Sequence, residues 1–188
     1  MAEFYKSNET PAYQVERKDG DIEIRAYAPR IVAEVSVSGA QGQAASAGFR
    51  KLAAYIFGAN QGGAKVAMTT PVTQVPGQTI AMTTPVSQMA RDGTWLVQFT
   101  MPAAYSMDSL PKARDPDIRL TELPAQRQVV MRFSGLIGEG KLASKEGELR
   151  SWARGQGLNV AAGPFFYYYD PPWTLPWARR NEVAFVLG

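Results

Sequence analysis

The sequence predicts an α+β fold: an antiparallel sheet or barrel of eight or more strands carrying two helices. Three observations lead there. Eight stretches alternate apolar with polar residues or are rich in β-branched and aromatic side chains, whereas only two have helical spacing. The order strand, proline-containing turn, strand, Ser-Gly, helix also occurs twice along the chain.

Taken in order, residues 13–17, 22–27 and 31–38 read as strands, the first two joined by a turn at Lys18-Asp19-Gly20. Residues 44–57 place Phe49, Leu52, Ala53 and Ile56 at i, i+3, i+4 and i+7, so they form an amphipathic helix, with Gly58 as its C-terminal cap. Residues 94–101, 118–123 and 128–133 return to the strand pattern. A weaker stripe of Leu142, Leu149, Trp152 and Ala153 marks the second helix over 142–153, opening near Gly140-Lys141 or Ser144 and stopping before Gly155. Strands at 165–169 and 182–187 close the chain. The segments 24–39 and 118–135 follow the same plan. The expectation is therefore a single domain over 1–188 built from two pseudo-repeated halves, approximately 13–111 and 112–188.

One phrase is written twice: AMTTPV occupies 67–72 and again 81–86, with Pro76-Gly77 between the copies. As extended strands, the copies would line Val66, Met68, Thr70 and Val72, or Ile80, Met82, Thr84 and Val86, along one side. Pro71 and Pro85 have no N–H for a ladder and so belong at an edge, a strand end or a bulge. A Pro-Gly turn would fold the copies side by side. A two-residue turn sends Met68 and Met82 to opposite faces, and one further loop residue brings them to the same face. The methionines then either fill irregular gaps in the core or form a soft apolar wall for a flat ligand.

Composition excludes whole classes of chemistry. With no cysteine and no histidine, the chain has no disulfide, thiol nucleophile, Cys-ligated metal, Ser-His triad or histidine-ligated haem. No catalytic residues and no metal site are expected. A net charge of +3 with one tight basic pair, Arg179-Arg180, makes nucleic acid a weak reading. No apolar run reaches the length of a membrane span, and the first residues lack a secretory pattern. The expected compartment is the cytoplasm, or the periplasm had a signal been removed.

Four phrases in a fixed order, IEIRAYAP (22–29), GFRKLAAYIFG (48–58), AMTTPVTQ (67–74) and RRNEVAFV (179–186), make the chain resemble the SOUL haem-binding family over 13–187. The resemblance implies a twisted antiparallel barrel of eight or nine strands flanked by two helices. It also implies non-covalent binding of haem or another porphyrin in a groove beside the first helix, for storage, buffering or delivery. Some members carry a histidine, proposed as iron ligand, at the position held here by Ala26, so this chain would resemble the members that grip the ring by apolar contacts and propionate pairing. A porphyrin is a flat apolar plate with two carboxylates and needs apolar walls with cations at one rim. The candidate walls are Phe49, Leu52, Tyr55, Met68, Met82, Tyr167 and Trp173. The candidate cations are Arg50, Lys51, Lys65 and Arg179 or Arg180, arginine being able to pair two-pronged with a propionate. Against this stand plainer roles: Phe49 and Leu52 as helix–sheet core, Arg50 and Lys51 as solvated surface, and Asn181 and Glu182 as ties between the aromatic loop and the last strand. A second functional reading, by analogy with gyrase-inhibitor-like ligand-sensing domains, is a hydrolase-like or sensor domain using a buried carboxylate such as Glu34 or Glu182 near Tyr167–Tyr169.

Overall fold

The computed structural model describes residues 3–5, 8–76, 93–171 and 173–188. A short hairpin of β1 (Glu3–Tyr5) and β2 (Asn8–Thr10) precedes a nine-stranded antiparallel sheet. Its strands are β3 (Tyr13–Asp19), β4 (Ile22–Tyr27), β5 (Arg30–Ser38), β6 (Val72–Pro76), β7 (Thr94–Thr100), β8 (Arg119–Leu123), β9 (Gln126–Phe133), β10 (Val160–Tyr168) and β11 (Asn181–Leu187). Helix α1 (Gln41–Ile56) follows β5, and α2 (Glu139–Gly155) follows β9. The predicted α+β class and both helices stand.

The sheet order is β3-β4-β9-β11-β10-β6-β7-β5-β8. Exchanging β4 with β8, β5 with β9, β6 with β10 and β7 with β11 reverses the order from β4 to β8, which places a pseudo-twofold axis between β6 and β10. β4 and β5 lie near opposite ends of the sheet, yet only Ala28 and Pro29 separate them; β8 and β9 are likewise joined by Pro124 and Ala125 alone. Two such short links force the ends of the sheet together. The sheet therefore curls into the twisted, barrel-like form that the family resemblance led us to expect, a loose one, since β3 and β8 at its two edges are not hydrogen-bonded to each other.

Alternation along the strands divides the core. On one face α1 covers β5 and β7, packing Leu52 and Ile56 on Val35, Val97 and Phe99. On the same face α2 sets Leu142, Leu149 and Ala153 against Val129, Met131 and Phe185. Gly48 is where α1 comes nearest the sheet: a Cβ there would stand 2.5 Å from Val97 Cγ2. At the C-terminus of α1, Gly58 adopts φ 111, the left-handed cap the sequence predicted. On the other face no helix among the described residues covers the sheet, and its curl encloses the buried Arg25, Tyr27, Gln128, Tyr167 and Glu182.

The first AMTTPV copy departs from expectation. Only its last residue, Val72, is in a strand, and Pro71 stands at the strand start where a missing N–H costs nothing. The preceding threonines act as braces. Thr69 Oγ1 donates to the Thr100 carbonyl, Thr69 bridges Glu9, and Thr70 N–H donates to the Glu9 carbonyl at 2.9 Å. Val72–Gln74 has partners on both edges, β7 and β10. The second copy, with Met82, lies outside the described residues.

Candidate functional site

The segment from Tyr169 to Arg180 is a loop with fixed ends and an apolar tip. At its base Arg180 N–H donates to Asp170 Oδ2 at 2.7 Å, and Asn181 Nδ2 donates to the Gly135 carbonyl at 3.2 Å. Gly135 N–H in turn donates to the Pro176 carbonyl at 2.9 Å, which ties the loop to the segment leading into α2. Arg179 Nε donates to the Thr174 carbonyl across the loop at 2.7 Å. Proline-restricted backbone and these bonds hold up three large apolar side chains, Trp173, Leu175 and Trp177, which are 82%, 56% and 73% exposed. Leu136, next to Gly135, is 63% exposed. So much exposed apolar surface on one loop makes it a candidate contact site. Two cations stand by it: Arg179, and Lys141, whose Nζ donates to the Ser134 carbonyl and would collide with any side chain at Gly135.

Beneath that loop, on the helix-free face, lies a buried ionic network. Glu182 is fully buried and accepts from Arg25 Nη1 and Nη2, at 2.8 and 3.0 Å. It also receives Arg180 Nη2 at 2.7 Å and Tyr169 OH at 3.0 Å. Arg25 further donates to Glu23 at 2.8 Å and to Tyr27 OH at 3.1 Å. Its guanidinium lies 4.5 Å from the Tyr13 ring centroid, and that of Arg180 lies 4.0 Å from the Tyr169 ring centroid. Burial alone would push the Glu182 carboxyl up, but Arg25 and Arg180 hold it below its ordinary value. Glu182 is an ionised anchor and no proton donor at neutral pH.

Burial raises the phenols of Tyr27, Tyr168 and Tyr169, and it pushes Tyr167 up to about 12. A raised folded-state value means that stability is intact below the ordinary value of 10.0 and is lost as pH rises through the folded value. The melting temperature should hold to about pH 10 and fall between pH 10 and 12, with the share of phenolate absorbance that belongs to these four tyrosines appearing only as the fold is lost. Phenolate absorbance rising fully at pH 10 in folded protein would contradict this.

The candidate residues read from the sequence fall in three places. Around α1, Leu52 and Tyr55 are buried, and Tyr55 OH donates to the Pro111 carbonyl at 2.7 Å. Phe49 is 38% exposed, with its ring 5.4 Å from that of Phe99. Arg50 and Lys65 are exposed, Met68 packs half-buried on the α1 core, and Lys51 is held by Asp117 at 2.5 Å and Asp115 at 3.4 Å. Trp173 and Arg179 belong to the β10–β11 loop. Tyr167 is in the helix-free interior, its OH donating to Gln128 Oε1 at 2.7 Å. Sequence reading did not single out Leu175, Trp177 or Lys141 as site residues; the TLPW run beside Trp173 was the signal for the first two. Among the described residues no group of three or more potential ligands is arranged to hold a metal ion, and no helix is long and apolar enough to cross a membrane.

A family model described as SOUL heme-binding protein matches residues 8–186. No curated protein matches the chain. Among solved structures, the EcmrR C-terminal domain is similar at TM-score 0.63 and 14% identity, covering 94% of this chain and 98% of that one. An EcmrR–DNA complex superposes at TM-score 0.64 and 13% identity, covering 93% of this chain and 57% of that chain. A protein described as a hydrolase from Listeria innocua follows at TM-score 0.58 and 10% identity, covering 92% of this chain and 94% of that one. At these identities the likeness is one of fold.

Proposed function

The chain belongs to the SOUL heme-binding protein family, and from that premise we propose that it binds haem or a related tetrapyrrole non-covalently, without a histidine on the iron, for storage, buffering or delivery. The carrying observation is the family match over nearly the whole chain, 8–186. We read that chain as one domain of two halves, about 13–111 and 112–188. The apolar tip of the β10–β11 loop fits the ligand's chemistry: Trp173, Leu175 and Trp177 give a flat ring surface to stack on, and Lys141 and Arg179 give the propionates positive partners. Phe49 and Arg50 of α1, with Lys65 in the segment that follows it, remain further candidates for the ring's edge.

Iron ligation by the neighbouring tyrosines has little support, since the Tyr167 and Tyr169 hydroxyls are buried and donate to Gln128 and Glu182. The chain's own residues would therefore grip the ring and its carboxylates, and the iron would supply the colour and reactivity of the bound group. A hydrolase-like role finds less support: Glu182 is neutralised by two arginines, and Glu34 accepts from Gln98 Nε2 at 2.7 Å and Thr121 Oγ1 at 2.9 Å.

Titrating the untagged protein with hemin should give a saturable Soret shift at about one ligand per chain. Trp173→Ala with Trp177→Ala should weaken binding about thirtyfold, two ring contacts each contributing on the order of 1 kcal/mol. Both side chains are exposed, so the melting temperature should not move. A non-saturating response ends the tetrapyrrole reading; saturation unaffected by the double variant moves the ligand off this loop. A spectrum of two histidine ligands is impossible for a chain with none.

A further inference from the structure

We propose that the groove where the β4–β5 and β8–β9 turns meet is a second binding site, taking a small molecule with an apolar aromatic body and one positive charge. It does not rest on the tetrapyrrole reading, and the two can fail separately.

The groove has a volume of about 650 Å³, within the range of roughly 300–1,000 Å³ usual for small-molecule sites. Four chain segments wall it: residues 9–12, 28–31, 100–106 and 122–124. Each contributes a proline, Pro11, Pro29, Pro102 and Pro124, so the walls are stiff before any ligand arrives and little ordering is required on binding. The threonine braces described above fasten the first wall to the third. Ile31, Met101 and Leu123 give the interior its apolar character, and Tyr105 adds an aromatic ring.

Charge selects the ligand. Two carboxylates, Glu9 and Glu122, line the groove, and Glu9 Oε1 is fixed by Ala103 N–H at 2.8 Å. The one cationic residue in the lining, Arg30, turns its guanidinium inward, donating from Nη2 to Gln126 Oε1 at 3.2 Å and lying 5.2 Å from the Tyr27 ring centroid. An apolar groove with carboxylates on its walls attracts an aromatic amine or quaternary ammonium and repels a dicarboxylate. This is the opposite preference to that of the loop bearing Trp173, Arg179 and the nearby Lys141.

The test uses berberine, a flat quaternary ammonium whose fluorescence rises out of water, with the sulfonate 1-anilinonaphthalene-8-sulfonate as an anionic comparator. Wild-type protein should show saturable berberine enhancement. Glu9→Gln with Glu122→Gln should weaken it roughly fivefold at unchanged melting temperature, with little effect on the anion. Ala103→Trp, which fills the groove from an exposed position, should abolish it, and saturating berberine should leave hemin binding unchanged. Absence of saturable binding, equal preference for the anion, indifference to Ala103→Trp, or displacement by hemin would each overturn the proposal.

Discussion

Replacing Glu182 with glutamine lowers the melting temperature by roughly 10 °C. The substitution keeps the side chain's shape and removes only its charge, which leaves Arg25 buried opposite a neutral amide. Breaking a buried ion pair by removing one partner costs about 3–5 kcal/mol, and for a chain of this size each kcal/mol moves the midpoint by about 2–4 °C. The pH dependence follows with a definite sign. The carboxyl sits below its ordinary 4.5 in the fold, so its contribution is complete above pH 4.5 and is lost as pH falls through the lower, folded value. The glutamine variant should therefore differ from wild type at pH 7 and converge on it in acid. Replacing Arg25 by methionine together with Glu182 by leucine should recover much of the loss, because an apolar pair needs no counter-charge and Arg180, 14% exposed, can turn to water. A glutamine variant as stable as wild type at pH 7, by thermal unfolding followed in the far-ultraviolet, would remove Glu182 as the anchor of this face.

Gly48→Leu should cost about 3 kcal/mol, the upper end of the range for overpacking, and lower the melting temperature by roughly 8 °C. The neighbour is no flexible chain end: Val97 is fully buried in a strand paired on both sides, with Cγ2 and Cβ 2.5 and 2.6 Å from the position a Cβ would take. The helix must lift, and Leu52 and Ile56 lose contact with the sheet as it does. Gly48→Ala should show the same effect in smaller measure. If both variants melt with wild type, α1 is not seated on β7 as described.

Both positions show what sequence could and could not convey. The α1 stripe was legible because 3.6-residue periodicity is written locally, and Leu52, Ala53 and Ile56 are buried as it requires. Glu182 was read as a tie for the aromatic loop, and its tie to Arg180 is local, but its chief partner, Arg25, is 157 residues away and nothing in either neighbourhood points to the other. Strand β6 was misplaced toward residue 66 because alternating methionine, threonine and valine satisfied the strand pattern, whereas the backbone at Thr69 and Thr70 bonds to Glu9 and the Thr69 hydroxyl to the Thr100 carbonyl. The early part of β10 was missed because Gly163-Pro164 reads as a break; the register shifts between Val160 and Phe165 accommodate it inside the strand. The groove at the two turns was invisible for a simpler reason, that no two of its four walls adjoin in sequence.

The pseudo-twofold arrangement has a kinetic consequence. Three ladders, β4 with β9, β5 with β8 and β6 with β10, join residues before 112 to residues after it. A nascent chain released up to that point holds one helix and half a sheet whose edges await partners not yet made. Productive assembly must therefore wait for the C-terminal strands, and the intermediate state is the one most exposed to pairing with a neighbour's edges instead of its own.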